Sequence, residues 1–298
     1  MTDAFRIADP YRGVLPPTDR PLLVVMLTGW IDASNAAAAA MDVLVDKTAA
    51  TTIVEFDPDT YIDYRARRPI MELRLGVNTR LDWVAPKLML GRDRNGRDIL
   101  LLTGAEPDAN WQRFAREVER LAGQLGVRRM LGLGAYPVAT PHTRRVKMSC
   151  TCPSESLTAT LPYIKSSLDA PAGVESVLEH ALTRAGIDAI GLWAQVPHYV
   201  SSMPYPASTL ALLNAVNEVG NVDVDVSDVR DVAETQRDRL DRLVNENPEH
   251  AAMLTQLEQA FDAAQAADET LSLDEDLPNG DQLAAELEQF LRQHRSDS

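Results

Sequence analysis

Residues 22–56 decide how this chain folds. They read Leu22-Leu23-Val24-Val25-Met26-Leu27-Thr28, then Gly29-Trp30-Ile31-Asp32-Ala33-Ser34-Asn35. Five alanines follow (Ala36–Ala40), then Met41, Val43, Leu44 and Val45, and finally Thr51-Thr52-Ile53-Val54-Glu55-Phe56. The first run is continuously apolar and too short for a helix, which predicts a strand buried on both faces. Gly29-Trp30 breaks it. Asp32 and Ser34 both qualify as N-caps for a helix over Ala33–Ala49 whose small residues can sit close against a sheet. The β-branched run 51–56 predicts the next strand. Strand, turn, helix, strand is a βαβ order, so the two strands are expected to run parallel.

The same alternation continues outward. Lys87–Gly91 and Asp98–Thr103 flank Asn95-Gly96, which predicts a hairpin. Trp111, Phe114, Val118, Leu121 and Leu125 recur at helical spacing up to Gly126. Met130–Ala135 predicts a strand, with Tyr136-Pro137 and Thr140-Pro141 in the following loop. Val146–Cys152 and Ala189–Val196 predict strands, and Gly173–Arg184 and Pro206–Val219 predict helices. Tyr61–Arg80 has no clear period. Its Arg65–Arg68 cluster is expected to be a solvated or inter-subunit face. Beyond Ser227 there are three helical stripes, Val229–Val244, Met253–Ala264 and Leu283–Leu291, with Asp268–Asp281 expected as a loop between the last two. The chain therefore divides into an arm (1–20), an α/β core (21–221) and a helical extension (222–298).

The 298 residues carry a net charge of −15, from 44 acids against 29 bases. That balance argues against nucleic-acid binding and against an anionic membrane surface. The charge is concentrated: residues 221–298 hold 20 acids and 6 arginines, leaving residues 1–220 almost neutral. No apolar stretch approaches a membrane span or a signal-peptide core. Two cysteines, Cys150 and Cys152, fit a reducing cytoplasm, and their spacing does not suit a disulfide.

Three strand-to-helix turns hold the candidate chemistry. The first carries Gly29, Trp30 and Asp32, with Asp32 readable as a base or as a helix cap. The second carries Tyr136, His142, Arg144 and Arg145, where arginine forks could meet an anion. The third carries His198, Tyr199 and Tyr205 in a proline-rich loop. If the protein were an enzyme, Asp32, His142, Arg144 and His198 would be its candidate catalytic groups. There is no G-x-G-x-x-G, Walker-type or G-x-S-x-G motif, and Cys150, Cys152 and His142 fall short of a zinc set, so no cofactor and no metal are expected.

Taken in order, Gly29-Trp30-Ile31-Asp32-Ala33, Gly134-Ala135-Tyr136-Pro137 and Pro197-His198-Tyr199 with Pro204-Tyr205-Pro206-Ala207-Ser208 resemble the three signatures of the proteasome assembly chaperone 2 family, over roughly residues 20–220. Pro141-His142-Thr143-Arg144-Arg145 is similar to its bacterial branch. The resemblance implies a three-layer α/β core with a mostly parallel mixed sheet, similar to the purine nucleoside phosphorylase and peptidyl hydrolase architecture. It also implies self-association, with a trimer by analogy, and a non-catalytic chaperone-like role toward proteasome subunits. Archaeal and eukaryotic members can end in a hydrophobic-Tyr-x tail. This sequence ends Gln293–Ser298 without that tyrosine, so docking by that route is not expected. The alternative expectation is a nucleoside phosphorylase- or hydrolase-like enzyme, which requires its four candidate side chains to share one pocket.

Overall fold

A computed structural model describes residues 4–273. Its elements in chain order are β1 (Phe5–Ile7), β2 (Leu22–Thr28), α1 (Ala36–Lys47), β3 (Thr51–Phe56), α2 (Pro58–Tyr61), β4 (Ile70–Arg74), β5 (Val77–Asp82), β6 (Lys87–Arg92), β7 (Asp98–Ala105), α3 (Trp111–Gln124), β8 (Arg129–Val138), β9 (Met148–Thr151), α4 (Glu155–Thr160), α5 (Val174–Arg184), β10 (Asp188–Pro197), α6 (Pro206–Gly220), α7 (Ser227–Asn245) and α8 (Pro248–Leu273). The described residues divide into two compact units, one ending at Leu243 and the other beginning at Val244.

The first unit is built on an eight-stranded sheet in the order β1-β3-β6-β7-β2-β8-β10-β9. The four strands β7, β2, β8 and β10 are mutually parallel, and the strands outside them pair antiparallel. This is the mostly parallel mixed α/β sheet expected from the sequence. β2 and β3 do point the same way, but they are not neighbours. The β6–β7 hairpin lies between them, and its two antiparallel steps restore the direction.

Alternation along each strand sorts side chains to two faces. Leu22, Val24, Met26, Ile99, Leu101, Leu131 and Leu133 meet α1 and α6 on one face. Leu23, Val25, Leu100, Leu102 and Met130 meet α3 and α5 on the other. Burial on both faces explains why β2 reads as an unbroken apolar run.

Several boundaries differ from the sequence reading. β8 continues through Tyr136-Pro137 to Val138, because its full length pairs with β10. The helix over 33–49 begins as an α-helix only at Ala36, since Ser34 and Asn35 take positive φ. Residues 61–80, which showed no period, contain the β4–β5 hairpin, a two-stranded sheet of its own closed by Leu75-Gly76 with both φ positive. Part of the arm is a strand: β1 pairs with β3, and Ala4 and Ala8 are buried. At the other end, Val222, Val224 and Val226 lie in the core. Asp93, in the Asn-Gly turn, accepts the Asp223 N–H at 2.9 Å. Buried surface thus continues past residue 221, into α7. Helix α8 runs to Leu273, through the start of the segment expected as a loop; the remainder of that segment and the stripe Leu283–Leu291 lie outside the described residues.

Candidate functional site

The parallel strands place three turns at one edge of the sheet, the carboxyl ends of β2, β8 and β10, where open α/β sheets collect ligands. Gly29 closes β2 with φ +134°, a conformation that favours glycine, and a Cβ there would collide with Arg67. The Arg67 guanidinium donates to the Glu106 carbonyl and pairs with Asp108 at 3.1 Å. Arg67 is therefore a structural brace rather than part of a solvated cluster.

Asp32 caps α1. Its two carboxylate oxygens accept the N–H groups of Ala37 (2.8 Å) and Ala38 (3.0 Å). Desolvation pushes its pKa up and these hydrogen bonds pull it back, leaving it raised. Ser34, the other candidate cap, instead donates its hydroxyl to the Val200 carbonyl at 3.1 Å. Asp32 also lines a small cavity with Trp30, Glu106, Gly173, Glu175 and Trp193.

That cavity lies above an unusual part of the sheet. Gly132 and Gly134 on β8 and Gly191 on β10 leave room on the α5 side, and Glu175, Trp193 and Glu179 occupy it. Glu179 accepts from Thr151 at 2.9 Å and is otherwise enclosed; desolvation raises its pKa to about 7. The Glu175 Oε1 atom is sealed from solvent and has no hydrogen-bond partner among the described residues. Desolvation first, then Glu179 and Glu106, push the Glu175 pKa well up. Glu106 accepts the Val174 N–H at 2.6 Å, holding the N-terminus of α5. Sequence reading missed these carboxylates. The signal was indirect: glycines at alternate positions of a buried strand mark a close approach.

His142 is fully enclosed. Its backbone N–H donates to the Tyr199 hydroxyl at 2.7 Å, and that hydroxyl lies 2.7 Å from Nδ1. On the other side of the ring, Nε2 lies 3.1 Å from Asp241 Oδ1. The network ties the loop after β8 to the loop after β10 and to α7. Asp241 lies 99 residues from His142, so the sequence offered no hint of it. Tyr136 turns away from this group and hydrogen-bonds with Ser149 (3.0 Å). His198 is exposed, with its ring edge-on to Tyr199. Tyr205 is buried, and desolvation raises its pKa. With His142, Arg144 and Arg145 it lines an open groove of about 510 Å³ between this loop, α6 and α7.

The four candidate catalytic groups do not line one cavity. Asp32 belongs to the first, His142 and Arg144 to the groove, and His198 lines neither. Among the described residues, no group of three or more His, Cys, Asp or Glu is placed to hold a metal ion, and no helix is long and apolar enough to cross a membrane. Cys150 and Cys152 are free thiols.

A further surface lies apart from these turns. The β4–β5 hairpin and the residue after it expose Ile70, Met71, Leu73, Leu75, Val77, Leu81 and Trp83, each by at least 44%. Single exposed apolar residues are ordinary; seven on and beside one two-stranded hairpin are not.

The profile of the PAC2 family matches residues 26–244. Among solved structures, a Mycobacterium tuberculosis protein of unknown function is 31% identical, with TM-score 0.80, covering 92% of this chain and 93% of its own. A Mycobacterium tuberculosis proteasome-assembly chaperone homologue is 34% identical, with TM-score 0.72, covering 78% of this chain and 99% of its own. A Pyrococcus furiosus archaeal proteasome activator, 15% identical with TM-score 0.60 over 81% of this chain and 99% of its own, shares the fold. No curated protein matches the chain.

Proposed function

Since the chain belongs to the PAC2 family, we propose that it is a non-catalytic, cytoplasmic assembly factor that works by binding proteins, with proteasome subunits as its clients. The observation that carries this reading is the exposed apolar hairpin 70–83. Apolar surface held out in water is unfavourable, and covering it with a partner lowers the free energy. The arginines beside it, Arg74 and Arg80, suit the rim of such a contact. The solved chaperone homologue at 34% identity supports the assembly role. The scattered positions of Asp32, His142, Arg144 and His198 give the enzyme alternative no comparable support. The family likeness also underlies the proposal that the chain self-associates, as a trimer.

Affinity purification from native cells, with partners identified by mass spectrometry, tests the role. The expected result is recovery of proteasome α or β subunits by the parent chain. A Leu73→Glu, Leu75→Glu variant should lose them while melting at an unchanged temperature, since both side chains face solvent. Absence of any protein partner would sink the role. Undiminished recovery by the variant would remove the hairpin from it. Mass measurement in solution tests the trimer.

A further inference from the structure

The groove between the loop after β8, α6 and α7 carries a charge opposite to that of the chain. Four arginines line it, Arg144 and Arg145 from the loop and Arg230 and Arg237 from α7, against one carboxylate, Glu234. The protein as a whole is at −15. Helix α7 also holds Asp228, Asp231, Asp238 and Asp241, and none of these lines the groove, Asp241 being engaged with the enclosed His142 ring at 3.1 Å. Of its four arginines, Arg230 and Arg237 line the groove. Among the described residues, Arg145, Arg230 and Arg237 make no ion pair. The floor between the arginines is apolar, formed by Leu210 and Ala211 of α6 and by Ala233.

From this arrangement we infer that the groove binds an acidic peptide segment of a partner protein. The inference deepens the protein-binding reading above and rests on it. Arg230 and Arg237 stand seven residues apart, two helical turns, which separates their origins by about 10 Å. One phosphate or one carboxylate cannot span that distance, whereas carboxylates spaced along a peptide can. Guanidinium forks take carboxylates in bidentate pairs. The apolar floor suits aliphatic side chains between the acids. A nucleic-acid strand would bring the same charge, but it carries no aliphatic side chains to set on Leu210, Ala211 and Ala233.

The test uses the full chain and a fluorescein-labelled peptide of repeated Glu-Glu-Leu, read by anisotropy at low salt. The expected result is binding that weakens as salt rises and falls at least about tenfold in an Arg230→Glu, Arg237→Glu variant. The variant should instead bind a Lys-Lys-Leu repeat more tightly than the parent does. Both arginines are exposed, so its melting temperature should match the parent's. No binding of the glutamate peptide, equal binding by the variant, or displacement of the peptide by a single-stranded oligonucleotide at lower concentration than by unlabelled peptide would overturn the inference. Native purification separates the two readings. If the variant still recovers partners, only the groove proposal fails; if neither parent nor variant recovers any, the protein-binding role fails.

Discussion

The two sides of the central sheet are filled by different chemistry. On one, α1 and α6 close over the strands mainly with alanine, leucine, methionine and valine, and the buried hydroxyls of Ser208 and Thr209 donate to backbone carbonyls. On the other, α3 buries one carboxylate, Glu117, which accepts from Tyr61 and from the Ala4 N–H, and α5 lowers Glu175 and Glu179 onto β8 and β10, where Gly132 and Gly191 leave space for them. An apolar interface owes its stability to area and fit and is indifferent to pH. A glycine-lined hollow holding carboxylates is tuned by their protonation, and its floor cannot accept a Cβ. One sheet is thus packed with mainly apolar side chains on one side and keeps a polar, glycine-lined hollow on the other, beside the edge where its turns gather.

Three substitutions test this contrast. The largest effect is expected at Leu212→Ala, in the fully buried apolar layer, which should cost about 3–4 kcal/mol of unfolding free energy, the same at pH 5 and pH 8. Chemical denaturation at the two pH values measures it. A strong pH dependence of that loss would show that the two sides are coupled.

Next is Glu179→Gln, which keeps an acceptor for Thr151 and removes the charge. In the unfolded chain this carboxyl loses its proton near 4.5, and in the folded chain near 7. Below about pH 4.5 both forms are neutral and the group has no effect on stability. From there to about pH 7 the unfolded state ionises first, so the folded state is progressively disfavoured as pH rises. The variant should therefore match its parent near pH 4 and gain up to about 3 kcal/mol by pH 8. A gain independent of pH, or a loss at pH 8, would contradict the polar hollow.

Smaller again is Gly134→Ala. The added methyl group meets the rigid Trp193 ring rather than the end of a flexible chain, and should cost about 2 kcal/mol at both pH values. If the melting temperature is unchanged, the strand is looser there than its glycines indicate.

The legible part of this protein was the part written in local patterns. Leu22–Thr28 announced a doubly buried strand, Trp111–Leu125 a helix, and Asn95-Gly96 a hairpin, because each rests on contacts a few residues long. Asp32 as a cap was legible for the same reason. The candidate site was legible only as three separate turns. Nothing within Ala135–Arg145 shows that His142 meets Tyr199 and Asp241, nor that Arg144 and Arg145 face Arg230 and Arg237. The hairpin at 70–82 was hidden because its alternation is faint and a leucine occupies a positive-φ turn position that glycine or asparagine usually marks. Glu175 and Glu179 had the spacing of a solvated helix face; only the glycines of strands distant in sequence convert that face into an interior one.

Local residue patterns set the α/β class, the sheet's apolar strands, the turns at their ends and the acidity of the last quarter of the chain. Each follows from residue type and short-range periodicity. Tertiary packing set the rest: that β6 and β7 separate the first two parallel strands, that Asp32 and His142 line different cavities, and that Arg230 and Arg237 share a groove with Arg144 and Arg145. Those outcomes depend on strand order and on which helix covers which strand, and no short-range pattern encodes either.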